Sequence, residues 1–108
     1  MNNSKNINIE FNRALNLFNN NSFDESEKIL QEVYIHNPKI SKVNELLAYI
    51  YGKKGQKNKC LELLIKSCSD QNCSAEANYY LGMAYLESNQ LELAIYNFEI
   101  SLKKAVIL

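Results

Sequence analysis

Small residues recur along this chain at a constant step of 34. Ala14, Ala48 and Gly82 form one column, and Ser26, Cys60 and Ala94 form another. Larger residues keep the same step: Leu17, Tyr51 and Tyr85, then Leu30, Leu64 and Phe98. Columns that preserve residue size at a fixed period mark an internal repeat, and a repeat of this length is one supersecondary unit used several times. The expected organisation is a polar leader over residues 1–6 and one three-repeat domain over 7–108, with repeats at 7–40, 41–74 and 75–108.

Within each repeat the apolar spacing is helical. Leu81, Ala84 and Tyr85, then Leu91, Ala94, Ile95, Phe98 and Leu102, follow the i, i+3, i+4, i+7 pattern. The polar stretch Glu87-Ser88-Asn89-Gln90 parts the two runs, so each repeat reads as two helices joined by a tight turn. Gly55 stands at the turn of the second repeat, where a left-handed residue ends a helix well, and Asn21 and Asn89 hold the equivalent places. Ser22-Phe23-Asp24-Glu25 reads as a capping box, Ser74 as an N-cap, and Asn37-Pro38 as a stop. The small columns let paired helices cross closely while the large ones fill the space around the crossings. A single pair cannot bury its apolar face alone, so stacked pairs must share a core.

Composition agrees. With 108 residues, 3 Gly and 1 Pro the chain has few turn residues, which favours helices over many short strands. No apolar run approaches the roughly 20 residues of a membrane span, and Met1-Asn2-Asn3-Ser4-Lys5-Asn6 is no signal peptide. Twelve basic residues balance twelve acidic ones, so bulk electrostatics offers nothing to nucleic acid. The densest basic run, Lys53, Lys54, Lys57 and Lys59, lacks arginine and reads as a solvated turn.

The three repeats in phase resemble the tetratricopeptide-repeat family, with Asn78-Tyr79-Tyr80-Leu81-Gly82-Met83-Ala84-Tyr85 and Leu91-Glu92-Leu93-Ala94-Ile95-Tyr96-Asn97-Phe98 the strongest match. The resemblance covers Ile7 to Leu108. Asn44 and Asn78 depart from it where the family often has Trp, and Asn72 and Val106 where it often has Pro. Another helical-hairpin repeat or a plain bundle is the alternative. The resemblance implies an all-α, right-handed solenoid of three antiparallel helix pairs, whose first helices line a concave groove for a peptide or helix of a partner protein. Helix geometry places Asn8, Phe11, Leu15 and Phe18 toward it, then Lys42, Glu45, Tyr49 and Lys53, then Glu76, Tyr79, Met83, Leu86 and Glu87. Phe11, Leu15, Phe18, Tyr49, Tyr79, Met83 and Leu86, beside Lys53, would form an apolar, aromatic binding stripe. The alternative is that they pack within the chain or against a second copy.

A specialised branch of the family clamps a chaperone's terminal carboxylate with Lys, Asn and Arg. Phe11, Leu15, Leu46, Glu76 and Tyr80 stand at those places, so this clamp is not expected. Catalysis is not expected either. His36 is the only histidine, no phosphate-cradling glycine loop exists, and no Ser/His/Asp grouping can be assembled. Cys60 and Cys68 read as small buried residues and Cys73 as an exposed link residue; a Cys68–Cys73 bridge or shared metal is the alternative, although the spacing fits no common zinc pattern. An odd number of thiols and no signal peptide point to the cytoplasm.

The chain is therefore expected to be a protein-interaction module or scaffold that needs no cofactor or metal and takes neither nucleic acid nor membrane as partner. A different reading makes it the N-terminal accessory domain of a larger bacterial enzyme, such as a glycosyltransferase or methyltransferase. The apolar run Ala105-Val106-Ile107-Leu108, where repeat stacks usually carry a polar cap, raises a third: self-association through the last helix.

Overall fold

The computed structural model describes residues 3–69 and 72–106. Six helices follow one another: α1 (Asn3–Asn19), α2 (Phe23–His36), α3 (Ser41–Lys53), α4 (Lys57–Cys68), α5 (Ala75–Glu87) and α6 (Leu91–Ala105). Helix α1 begins ahead of the expected boundary at Ile7. Met1 and Asn2 of the expected leader, and Ile107 and Leu108 of the apolar C-terminal run, lie outside the described residues. No described helix is long and apolar enough to cross a membrane.

The turns inside the hairpins are alike. Asn21, Gly55 and Asn89 have φ of 64°, 77° and 62°. The next residue's N–H reaches back over the turn in each case: Ser22 to Leu17 O at 2.8 Å, Gln56 to Tyr51 O at 2.8 Å, Gln90 to Tyr85 O at 2.9 Å. This left-handed cap satisfies the carbonyls that a helix end leaves open. It recurs every 34 residues because Gly and Asn tolerate positive φ at little strain. Ser22 is an exception to the expected capping box, since its side chain makes no cap hydrogen bond. Its ψ of 67° follows from the tight turn, whereas Ser74, with ψ of 163°, has the extended geometry that turns Oγ toward Ala77 N–H at 3.1 Å.

Close crossings hold each hairpin. Ala14 and Ala48 are fully buried and Ala94 nearly so. Ser26, also fully buried, donates its hydroxyl to Ala14 O at 2.8 Å, so the small residue there also ties α2 to α1. Between hairpins, Leu30 and Val33 of α2 share a core with Val43, Leu47 and Ile50 of α3, and Leu64 of α4 shares one with Ala77 and Leu81 of α5. Cys60 and Leu63 pack against both cores and join them. The result is an all-α helical-repeat solenoid, 46 × 33 × 23 Å in extent.

The third crossing uses Gly82 instead of alanine for a local reason. A Cβ there would stand 2.7 Å from Phe98 Cδ1 and Cε1. Phe98 holds the column that carries leucine in the other hairpins, so the larger ring has displaced a methyl. Gly82→Ala should therefore destabilise by about 1 kcal/mol: overpacking of about 2 kcal/mol, offset by about 1 kcal/mol of helix propensity. Gly82→Ala/Phe98→Leu, which copies the Ala48–Leu64 pair, should recover that loss in urea melts. A double variant no more stable than Gly82→Ala would contradict this account.

The cysteines differ from expectation. Cys73 is buried, not exposed, Cys60 is only half-buried, and Cys68 and Cys73 form a disulfide with Cα atoms 4.9 Å apart. Cys73 is drawn inward by a polar network. Lys104 Nζ donates to Cys73 O and to Asn78 Oδ1, each at 2.7 Å, and Asn78 Nδ2 donates to Asn97 Oδ1 at 3.2 Å. Asn78, standing where the family often has Trp, thus anchors the α4–α5 link through polar bonds. Asn44, its counterpart in α3, donates to Pro38 O at 3.2 Å, while its buried Oδ1 has no partner.

Candidate functional site

A groove of about 720 Å³ opens between α3, α4 and α5, with Phe18 of α1 at one margin. It exists because its base is lined by small residues. Ala48 and Gly52 lie one turn apart on α3, and Ala77 and Ala84 lie two turns apart on α5. Leu61 and Leu64 of α4 close the bottom, and the walls carry Tyr49, Tyr80 and Met83.

Aromatic rings run in one chain across the stack. Phe23 meets Phe18 at 5.3 Å between centroids, Phe18 meets Tyr49 at 5.2 Å, and Tyr49 meets Tyr80 at 6.2 Å. Tyr80 meets Tyr79 at 5.6 Å, and Tyr79 meets Phe98 at 5.8 Å. Most of these contacts are edge-to-face, the arrangement that ring quadrupoles favour. Tyr80 and Met83 remain 44% and 37% exposed, so the chain presents apolar surface to an incoming group.

Charges of both signs rim the groove. Lys57 and Glu87 pair at 3.2 Å and link the start of α4 to the end of α5. Lys53 Nζ lies 5.6 Å from the centre of the Tyr49 ring, a cation–π contact. Glu45 is occupied: Ser74 donates to it from N at 3.0 Å and from Oγ at 2.7 Å, which ties α3 to the cap of α5. Cys60 also lines the groove. Burial, and then the charge of Glu87, push its thiol above its ordinary pKa, so it is a neutral thiol near pH 7 and a poor nucleophile. Among the described residues no group of three or more His, Cys, Asp or Glu is placed to hold a metal ion.

No protein-family model and no curated protein matches this chain by sequence. Solved structures do match it in shape. One is the CopN–Scc3 complex, with a TM-score of 0.78 and 16% identity, covering 97% of this chain and 62% of that one. The type III secretion translocator chaperone SycD of Yersinia enterocolitica gives 0.77 at 11% identity, covering 97% of this chain and 78% of that one. The C-terminal part of a TPR repeat-containing protein from Cytophaga hutchinsonii gives 0.74 at 16% identity, covering 87% of this chain and 38% of that one. This is a tetratricopeptide-repeat fold. The chain spans less than two thirds of the matched CopN–Scc3 and Cytophaga chains.

In this tetratricopeptide-repeat fold α1, α3 and α5 are the first helices of the three pairs. Of the residues expected on the groove, Phe18, Tyr49, Lys53 and Met83 line it, as do Lys42, Glu45, Glu76 and Glu87. Phe11 and Leu15 do not; they are half-buried and pack against the first core. The reason is the burial of Ala14, which turns its neighbours on α1 toward α2 and α3. Tyr79 and Leu86 are exposed but lie outside the groove, Tyr79 turning toward Phe98 of α6. Tyr80 also lines the groove, although it was not among the residues expected there. Its signal was present in the helical spacing of Glu76, Tyr80, Met83 and Glu87, which share one face.

Proposed function

We propose that this chain is a non-catalytic protein-interaction module whose groove holds an apolar segment, helical or extended, of a partner protein. The observation that carries the reading is the open groove with its aromatic and methionine wall. Tyr49, Tyr80 and Met83 offer adaptable apolar contact, and the mixed-sign rim gives direction without strong net charge. The use of this fold in a translocator chaperone and in the CopN–Scc3 complex supports protein binding as the role. The places where a carboxylate clamp would sit carry Phe11, Leu15, Leu46, Glu76 and Tyr80, so the partner is recognised through apolar side chains and not through a chain terminus. The division into repeats at 7–40, 41–74 and 75–108 belongs to the same proposal, whereas the Cys68–Cys73 disulfide removes the thiol argument for a cytoplasmic location.

Peptide display against the purified chain tests it. Selected peptides should share apolar or aromatic positions, and Tyr80→Ala/Met83→Ala should weaken them by at least about tenfold, or 1.4 kcal/mol. The melting temperature should fall only modestly, because both side chains are substantially exposed and Tyr80 gives up its ring contacts with Tyr49 and Tyr79. Peptides that bind the variant and the parent equally would place recognition elsewhere.

A further inference from the structure

The α4–α5 junction carries a covalent bond that the α2–α3 junction manages without. Tyr34 and Lys39 hold, one repeat earlier, the places of Cys68 and Cys73. The α2–α3 junction packs all the same, through Leu30, Val33, Val43, Leu47 and Ile50. At α4–α5 the link is also held by bonds that involve no sulfur. Lys104 Nζ donates to the Cys73 carbonyl, Ser74 N and Oγ donate to Glu45, and Ser101 Oγ donates to Ala75 O at 2.7 Å. A bridge between residues five apart closes a short loop, the kind that restrains an unfolded chain least. The fold therefore does not depend on the disulfide.

The two sulfurs have different surroundings. Cys68 is half-buried at the end of α4, whereas Cys73 is 4% exposed. An incoming thiolate therefore reaches Cys68 more readily. Lys104 Nζ of α6 stands 3.7 Å from Cys73 Sγ, and Asn78 Oδ1 of α5 lies 3.3 Å from the same sulfur. A disulfide sulfur has no proton to give that oxygen and no charge to pair with that ammonium. Reduced Cys73 uses both: its thiol donates to Asn78, and its thiolate is stabilised by Lys104. The carboxylate of Glu45 on α3 is occupied by Ser74.

We propose that Cys68–Cys73 is a redox-active disulfide that exchanges with dithiols, Cys68 taking the attack and Cys73 leaving as a thiolate beside Lys104. One thiolate of the dithiol bonds to Cys68 Sγ. The Cys68–Cys73 bond breaks, and its electron pair goes to Cys73 Sγ. The second thiol of the dithiol, once deprotonated, attacks its own sulfur in the mixed disulfide and releases Cys68. The dithiol leaves as a disulfide, the chain gains two electrons, and the two protons of the dithiol balance the two new cysteine thiolates. Reoxidation runs the same steps backward, with Cys73 as the thiolate that resolves the mixed disulfide. A leaving thiolate stabilised by a neighbouring ammonium departs faster, which is the part Lys104 plays.

Reduction by dithiothreitol, stopped by acid and read by mass spectrometry after alkylation, tests the pair. The disulfide should open, and re-form in oxidised dithiothreitol, with the helical circular dichroism unchanged throughout. With glutathione, a monothiol, the reaction stops after one exchange, and fragment masses should place glutathione on Cys68 and the free thiol at Cys73. Lys104→Met should slow reduction by about threefold or more. In a Cys60→Ala/Cys68→Ser background, where Ala copies Ala94 of the same column, Lys104→Met should raise the pH midpoint of Cys73 alkylation by about one pH unit. Loss of helix on reduction would make the bond structural and overturn the proposal. So would glutathione on Cys73, an alkylation midpoint that stays put, or a Lys104→Met disulfide reduced as fast as the parent's or faster, as looser packing alone would make it. Cys68, Cys73 and Lys104 do not line the groove, so the result is independent of the groove's role.

Discussion

Leu30→Ala should lower the free energy of unfolding by about 3 kcal/mol. Leu30 is fully buried in the first core, where it meets Val43, Leu47 and Ile50 across the junction between hairpins. Removing its isobutyl group loses the transfer free energy of several methyl and methylene groups and leaves a cavity that the helices can only partly close. The stack cannot absorb the loss locally. Each hairpin is stable through its contact with the next, so a cavity at the α2–α3 junction weakens the coupling of the first pair to the rest. Denaturant titration should show the midpoint falling. If the first hairpin uncouples, the slope should fall too, because the transition then ceases to be all-or-none. A loss under about 1 kcal/mol would show that this junction is not where the stack is held.

Lys104→Met should cost about 2 kcal/mol, a large effect for a lysine near the end of a helix. The ammonium serves two acceptors at once, the Cys73 carbonyl and Asn78 Oδ1, both at 2.7 Å. Methionine keeps much of the stem's packing and removes only the donors. Asn78 is buried, so its oxygen then lacks a hydrogen bond that water reaches poorly, and such a group costs about 1–3 kcal/mol. Lys104→Met/Asn78→Leu removes both sides of the interaction. It should recover part of the loss, and the coupling in that double-mutant cycle measures the bond. Additivity of the two changes would mean that Lys104 acts through its stem and the Cys73 carbonyl and not through Asn78.

The architecture was legible because its signals are local and repeated. The columns at a 34-residue step fix the helix crossings, and Asn21, Gly55 and Asn89 fix the turns through their tolerance of positive φ. The groove was only half legible. Helical periodicity picked Tyr49, Lys53 and Met83, which line the groove, but picked Tyr79 where the lining residue is Tyr80. One residue turns a helical position by about 100°, and hydrophobicity cannot choose between adjacent tyrosines. Phe11 and Leu15 were misplaced because α1 leans its apolar face into the first core, which depends on tertiary packing. The burial of Cys73 was hidden for another reason. It rests on Lys104, 31 residues away in sequence, reaching back over the end of α5. Such a long polar contact leaves no periodic trace.

The most direct test of the groove uses a methionine methyl. Met83 is one of only two methionines in the chain and stands on the wall of the groove. With the methionine methyls labelled with carbon-13, titration with a selected apolar peptide should shift the Met83 signal saturably, and Tyr80→Ala should weaken that titration by at least about tenfold. A peptide that binds tightly while the Met83 methyl stays at its free position would contradict the account.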